Sequence, residues 1–482
     1  MQRVKIAFLF FAACLLYNKN FSQDNTSIGT TLNVKQCVDI AIQNNLLVQQ
    51  SDINRQANGV YFNQAKANLL PYIGASGTQA ISFGRSLNIS TYSYVNQQIA
   101  TGNYGISASL ILFSGLQYQN AIRQNAYAYD ASKLDLEQQK QNITLSVLLA
   151  YLQVLSSQDL LDMNRRQADV DAKQVERLEL QNKEGALLLL SNLTDLKGQY
   201  ASDMVSIATA LNTLETAKIN LFQLLNIAYK RDIKYEAFPL DPQNADYLAS
   251  SDSIYSKALS TLPGIKSTYL KIKSYQKSVQ AARGQYYPTL SLNGGINTNY
   301  SNAATTSVPG SATLFDTTSN YITYNGNNYR VIQPYTSSTT KNISFGDQFN
   351  NNQYTSVNLT LSIPILNYLR ARNNVKLAKI NLQNAQNNAN STRLVLQQNV
   401  EQAFQNMILA NSQYKSYQDE VTAFAESFRT TQIRFNEGVV TSDVYLLAKN
   451  KIDAANINLT IAKYNYIFRE KILDYYQGKL TW

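Results

Sequence analysis

Histidine is absent from all 482 residues. That removes His-based catalytic triads, the usual zinc ligand sets and imidazole proton shuttles. No glycine-rich phosphate loop occurs, and no pair of carboxylates presents itself as a pocket, so the chain offers no catalytic residue, no metal site and no cofactor site. Charge is scarce: only 15% of residues are Asp, Glu, Lys or Arg. The net charge of +10 is spread thinly, without a basic run or an aromatic–basic platform. This argues against nucleic acid as a partner and for a solvated surface. Cysteine is nearly missing too, with Cys14 and Cys37 alone. After the N-terminus no helical segment offers eighteen uncharged apolar residues, so no transmembrane helix is expected.

The chain opens on Arg3 and Lys5, an apolar run from Ile6 to Leu16 and a polar segment ending near Ser22-Gln23. Residues 1–23 therefore read as a secretory signal, and the mature chain begins near Asp24. Cys14, following Phe11-Ala12-Ala13, also reads as a lipoprotein cysteine. Cys37 is then alone, and the exported protein has no intramolecular disulfide.

What is present in quantity is uninterrupted helix. Tyr368 to Asn436 runs sixty-nine residues without proline or glycine and closes on Glu437-Gly438. Such a rod is about 100 Å long, which points to a coiled coil or helical barrel. Val375, Ala378, Leu382, Ala385 and Ala389 make a thin apolar seam, Thr392 interrupts it, and Leu396, Val400, Ala403, Met407 and Ala410 resume it after a stutter. Twelve of the 27 residues from Asn373 to Asn399 are Asn or Gln, so most of the helix surface expects water.

The same stretch occurs twice. Gly115 to Lys183 is also sixty-nine residues and closes on Glu184-Gly185, 253 positions before the second Glu-Gly pair. Leu69-Leu70-Pro71 matches Tyr286-Tyr287-Pro288 at an offset of 217, so 36 extra residues sit between the strands of the second copy. The reading is an internal duplication: residues 24–230 as a first repeat, 231–253 as a connector, 254–482 as a second repeat. Leu32–Asn45 and Leu46 to about Asn68 read as helices, repeated by Ser253–Leu262 and Pro263–Gln285. Ala186 to about Ala228 and Val439 to about Gln477 read as returning helices. Gly84–Gly102 and Ser301–Gln353 read as polar surface loops.

Four stretches read as strands: Tyr72–Phe83, which turns to small residues with Gly74 and Gly77, and the alternating Tyr104–Phe113, Thr289–Tyr300 and Ser356–Ile363. In the last two, Leu290, Leu292 and Ile296, then Val357, Leu359, Leu361 and Ile363, oppose polar neighbours, which fits a barrel strand with one lipid and one aqueous face, with a soluble amphipathic sheet as the other reading of the same pattern. Tyr72, Tyr104, Tyr287 and Tyr354 lie near strand ends, where an aromatic girdle would sit. Four strands cannot stand open in lipid, because edge N–H and C=O groups would lack partners. They must be shared among copies, and three copies give twelve.

LNVKQCVDIAIQNN with ANLLPYIGAS, the pair ASLILFSGL and LTLSIPILN, and RFNEGVVTSDVYLLAKN resemble the TolC-like outer-membrane efflux proteins over essentially the whole mature chain. The resemblance implies an α+β membrane protein, a homotrimer with a twelve-stranded β-barrel, four strands per chain, in outer-membrane lipid. A long α-helical barrel would continue it across the periplasm, with a mixed belt near Tyr229–Ser253. It implies an exit duct for a tripartite efflux system, working with a periplasmic adaptor (membrane fusion) protein and an inner-membrane pump. A type I protein secretion system is the alternative. A periplasmic coiled-coil scaffold or adaptor would explain the helices and leave the strands unexplained. By the same resemblance the adaptor-docking tips are Glu184, Gly185, Ala186 and Leu187, and Glu437, Gly438, Val439, Val440, Thr441 and Ser442. Asp443 and Asp195 are the candidate pore aperture, although the family places its acidic residue six positions after the tip glycine, where Val444 and Ser191 stand here. Gly185 and Gly438 also read as left-handed helix caps.

Overall fold

The computed structural model describes residues 30–88, 92–96, 98–183, 190–237 and 250–479. The expected signal segment with Cys14, and the first tip with Glu184, Gly185, Ala186 and Leu187, lie outside the described residues. In chain order the first elements are β1 (Thr31–Leu32), α1 (Val34–Asn44), α2 (Leu46–Ala67), β2 (Tyr72–Ser82), β3 (Arg85–Asn88), β4 (Ser93–Asn96) and β5 (Ile99–Ser114). Then come α3 (Gln117–Lys183), α4 (Leu190–Leu225), β6 (Lys234–Tyr235), α5 (Ser251–Thr261) and α6 (Pro263–Gly284). The chain continues with β7 (Thr289–Ser301), β8 (Thr305–Tyr324), β9 (Asn327–Asn342), α7 (Phe345–Asn351), β10 (Tyr354–Ser362), α8 (Arg370–Asn436) and α9 (Ser442–Gln477). These form two compact units, one from Ser51–Leu136 and Pro263–Leu394, the other from the described parts of Met1–Gln50, Glu137–Leu262 and Val395–Trp482.

The first unit holds an antiparallel sheet in the order β10-β7-β5-β2. The register puts Ile73, Ala108, Gly294 and Val357 in one row, with Leu110, Leu292 and Leu359 in another on the same face. Tyr72, Ser109, Asn293 and Asn358 make the intervening row on the opposite face, where the Ser109 hydroxyl and Asn293 Oδ1 are 2.8 Å apart. The alternation read from the sequence is therefore one apolar and one polar face. The apolar face is bare: Ile73 is 67% exposed and Val357 72%. Among the described residues β2 and β10 pair on one side only.

Two stretches expected to be loops are not. Residues 84–102 contain the β3–β4 hairpin and the start of β5, and residues 301–353 contain the long β8–β9 hairpin and α7. The second is turned by Asn325 (φ +52°) and Gly326 (φ +80°), the Asn-Gly pair whose left-handed backbone matches strand twist. Gln348 of α7 seats that helix by exchanging two 2.9 Å bonds with the Ser301 backbone. Phe345 then stands edge-on to Tyr104 and Tyr300, with Tyr300 at 5.1 Å, so an aromatic rim forms at this end of the sheet. Tyr104 belongs to it, while the phenylalanines lay in the stretch read as loop.

Both long helices begin two residues later than the sequence suggests, at Gln117 and Arg370. Gly115 and Leu116 (φ +60°, +61°), and Tyr368 and Leu369 (φ +54°, +59°), turn the chain through the left-handed region instead. At 115 only glycine fits, because a Cβ there would lie 2.5 Å from the Gly284 carbonyl oxygen. The seam of α8 is as expected: Val375, Ala378, Ala389, Leu396, Val400, Ala403, Met407 and Ala410 are buried, and Thr392 is exposed.

In the second unit α1 starts on a capping box in which Asn33 and Gln36 satisfy each other's backbone N–H at 2.9 and 3.0 Å. β1 pairs in parallel with β6, and the buried Tyr151 hydroxyl donates to the carbonyls of Leu32 in β1 (3.0 Å) and of Glu236, the residue after β6 (2.7 Å). The stretch between halves thus carries a strand rather than only a connector. α3 contains one stretch long and apolar enough on average to cross a bilayer, although Ser, Thr, Gln and Asp159 interrupt it, so the expectation of no eighteen uncharged apolar residues is not overturned. The stretch is 56% buried inside the protein, as a core helix would be.

Candidate functional site

The α8–α9 turn is built by its glycine. Gly438 has φ +73°, its N–H bonds the Phe435 carbonyl at 3.1 Å, and the Val439 N–H bonds the Arg434 carbonyl at 2.8 Å. This is a Schellman closure, which satisfies carbonyls that the helix end would otherwise strand. Glu437, Gly438 and Val439 are exposed, Val440 turns half inward, and Ser442 is buried at the start of α9. Thr441 and Asp443 are exposed.

Beneath the turn lies an apolar cluster of Leu178, Leu193, Leu196, Phe435 and Tyr445, with Val440 packed against it. Phe435 stacks on Tyr445 at 4.6 Å between ring centroids. Polar clasps surround it. The Arg177 guanidinium donates to the Asn436 side chain and, at 2.9 Å, to its carbonyl. The Ser442 hydroxyl donates to Asp195 Oδ2 at 2.7 Å, and the Ser442 N–H donates to Asn192 Oδ1 at 3.1 Å. Lys197 pairs with Glu179 at 2.7 Å. The helical hairpins α3–α4 and α8–α9 are therefore tied together at their ends.

Of the two candidate aperture carboxylates, Asp195 is engaged in this tie. Asp443 is not: it accepts from the Thr441 hydroxyl in the first turn of α9, which holds its carboxyl below the usual carboxylate range. Sequence reasoning did not single out Arg177, Asn192 or Tyr445, because the groups they meet lie on other helices.

It also missed a buried charge cluster farther along the same helices. Lys449 is 2% exposed and contacts Asp171 Oδ2 at 3.0 Å and Asp453 Oδ2 at 2.6 Å. Burial pushes the Asp171 carboxyl up to about 7, assisted by a hydrogen bond with Asp203 and opposed by Lys449. A cleft of about 300 Å³ adjoins the cluster, bounded by Met163, Arg166, Gln167 and Phe428. These groups clamp helix to helix. The described residues contain no group of metal-ligating side chains.

A family model described as outer membrane efflux protein matches residues 37–226 and 254–476. Outer membrane protein TolC of Escherichia coli (strain K12) is 22% identical over 452 residues, 92% of this chain and 82% of its own length. The protein of the same name from Salmonella enteritidis is 21% identical over 462 residues, 95% and 84% of the two chains. The Campylobacter jejuni CmeC outer membrane channel has the same fold, with a TM-score of 0.70 at 16% identity over 92% of this chain and 86% of that one.

Proposed function

The chain belongs to the outer membrane efflux protein family, and on that premise we propose that it is the exit duct of a tripartite efflux system, a passive conduit for small molecules. Three copies join their four-stranded sheets into a twelve-stranded barrel in the outer membrane. A helical barrel of duplicated repeats continues it into the periplasm. The observation that carries this reading is the open sheet with a bare apolar face. In lipid each unpaired edge N–H or C=O costs several kcal/mol, and lipid-exposed open edges do not occur. Copies of the same chain remove those edges by pairing β2 of one with β10 of the next.

Glu437, Gly438, Val439, Val440, Thr441 and Ser442, with Glu184, Gly185, Ala186 and Leu187 at the other tip, form the adaptor-docking end, below which an inner-membrane pump supplies energy and choice of cargo. Asp443 and Asp195 help close the aperture. Ser442–Asp195 supports this role, since a tie between hairpins holds a tip narrow. Planar-bilayer recording of the purified protein tests both parts. Conductance is expected, and Asp443→Asn raises it several-fold. Silence under every condition overturns the duct, and an unaltered conductance in the variant leaves Asp443 as a surface residue.

A further inference from the structure

Charge is distributed around the sheet in a way that nothing in the duct itself requires. None of the residues of β2, β5, β7 and β10 is Asp, Glu, Lys or Arg. Because neighbouring strands are antiparallel, β2 and β7 leave, and β5 and β10 return to, one and the same end of the sheet. Four helices meet the strands there, and each carries an exposed cation beside the junction. Lys66 is in the last turn of α2 and Arg283 in the last turn of α6. Arg370 is the first residue of α8, and Arg123 lies in the second turn of α3, roughly 10 Å along it.

No carboxylate answers them locally. The sequence has no Asp or Glu between Asp52 and Asp130, between Asp252 and Asp316, or between Asp347 and Glu401. Asp52 and Asp130 are themselves taken by Arg55 (2.7 Å) and Lys133 (3.0 Å). Lys66 lays its ammonium 4.3 Å from the Phe62 ring centroid, the posture of a cation reaching out along an apolar body. The opposite end of the sheet mixes signs, with Asp316, Arg330, Lys341 and Asp347 in the long hairpin and α7.

We infer that Lys66, Arg123, Arg283 and Arg370 form a basic collar that binds the phosphates of anionic phospholipid in the periplasmic leaflet of the outer membrane. This rests on the barrel reading. The apolar band of the sheet fixes the hydrocarbon slab, and the collar begins where that band ends, at the level of the headgroups. Charge complementarity does the rest: a basic residue near an anionic lipid surface contributes up to about fivefold in partition. Three copies would set twelve cations around the circumference. The collar gives the duct a fixed depth and an orientation, since the other rim lacks a matching ring.

The test is native mass spectrometry of the full-length protein released from bilayers of equimolar phosphatidylglycerol and phosphatidylcholine. Wild type is expected to retain phosphatidylglycerol at least fivefold over phosphatidylcholine. The variant with Lys66→Gln, Arg123→Gln, Arg283→Gln and Arg370→Gln loses the preference, and the charge-keeping variant with Lys66→Arg and Arg123→Lys, Arg283→Lys and Arg370→Lys retains it. Equal retention of the two lipids by wild type, or an unchanged preference in the Gln variant, overturns the collar. So does a Gln variant whose only change is a reversal potential moved toward cations, which places these residues in the lumen. Absence of a trimer mass in the wild-type spectra instead removes the barrel reading, a separate failure.

Discussion

Gly438 sits where conformation and surroundings make different demands. A Cβ at that position meets no atom within 4 Å, so there is room for a side chain. The obstacle is φ of +73°, a region that costs an L-residue about 1–2 kcal/mol, and more for a β-branched one. Gly438→Val should therefore distort the turn and leave the helices beneath it intact. Trimers are expected to persist on an unheated gel while a strain relying on the variant becomes as drug-susceptible as the deletion strain. Unchanged susceptibility would take Gly438 out of the docking end. Asp171 makes a different demand, for protons. Its folded-state pKa of about 7 lies above the ordinary value of 3.8, so the folded protein holds this proton more tightly than the unfolded chain. The contribution of Asp171 to stability is accordingly greatest near pH 4 and declines as pH rises to about 7. The groups facing it are Lys449 and Tyr445 from α9 and Asp203 from α4, with Asp453 on the far side of Lys449. Thermal melting followed by circular dichroism at pH 5 and pH 8 should show a smaller drop for Asp171→Asn than for wild type. An identical drop would mean that Asp171 is ionised throughout.

At the scale of elements, what the sequence disclosed depended on whether an element has a period. The two long helices were legible because the absence of proline and glycine over such lengths admits little else, and the seam from Val375 to Ala410 repeats at coiled-coil spacing on either side of its stutter. The four strands of the sheet were legible because one face is apolar. β8 and β9 escaped for the opposite reason: both faces are exposed and mostly Ser, Thr, Asn and Tyr, so no alternation exists to be read. Only Asn325-Gly326 announced the hairpin. The junctions escaped in part, since Tyr368 and Leu369 are ordinary helix formers that tertiary context holds in left-handed conformations. The tip turn at Glu437–Asp443 was legible from its glycine. The Ser442–Asp195 tie and the Lys449 cluster were not, because their partners lie hundreds of residues apart on separate helices.

For the molecule as a whole, the decisive quantity is the number of unpaired edges of the four-stranded sheet, and among the described residues one chain leaves two. β2 runs away from the helices and β10 runs back toward them, so the free edges of adjacent copies meet antiparallel, the same relation that every pair inside the sheet already has. Closing copies on one another thus needs no new kind of contact. A cysteine on β2 at Gly74, Ser76 or Thr78, combined with one on β10 at Ser356, Asn358 or Thr360, samples the polar face of that seam. Native Cys37 will not interfere, being fully buried with its thiol pushed up to about 12 by desolvation. At least one combination should form a disulfide under mild oxidation and yield a covalent ladder ending at three chains, while each single cysteine stays monomeric on a denaturing gel. A ladder that continues past three chains would replace the trimer by a larger ring. If every pair stays monomeric although trimers migrate intact on unheated gels, the copies meet through their helices and the sheet must find its closure elsewhere.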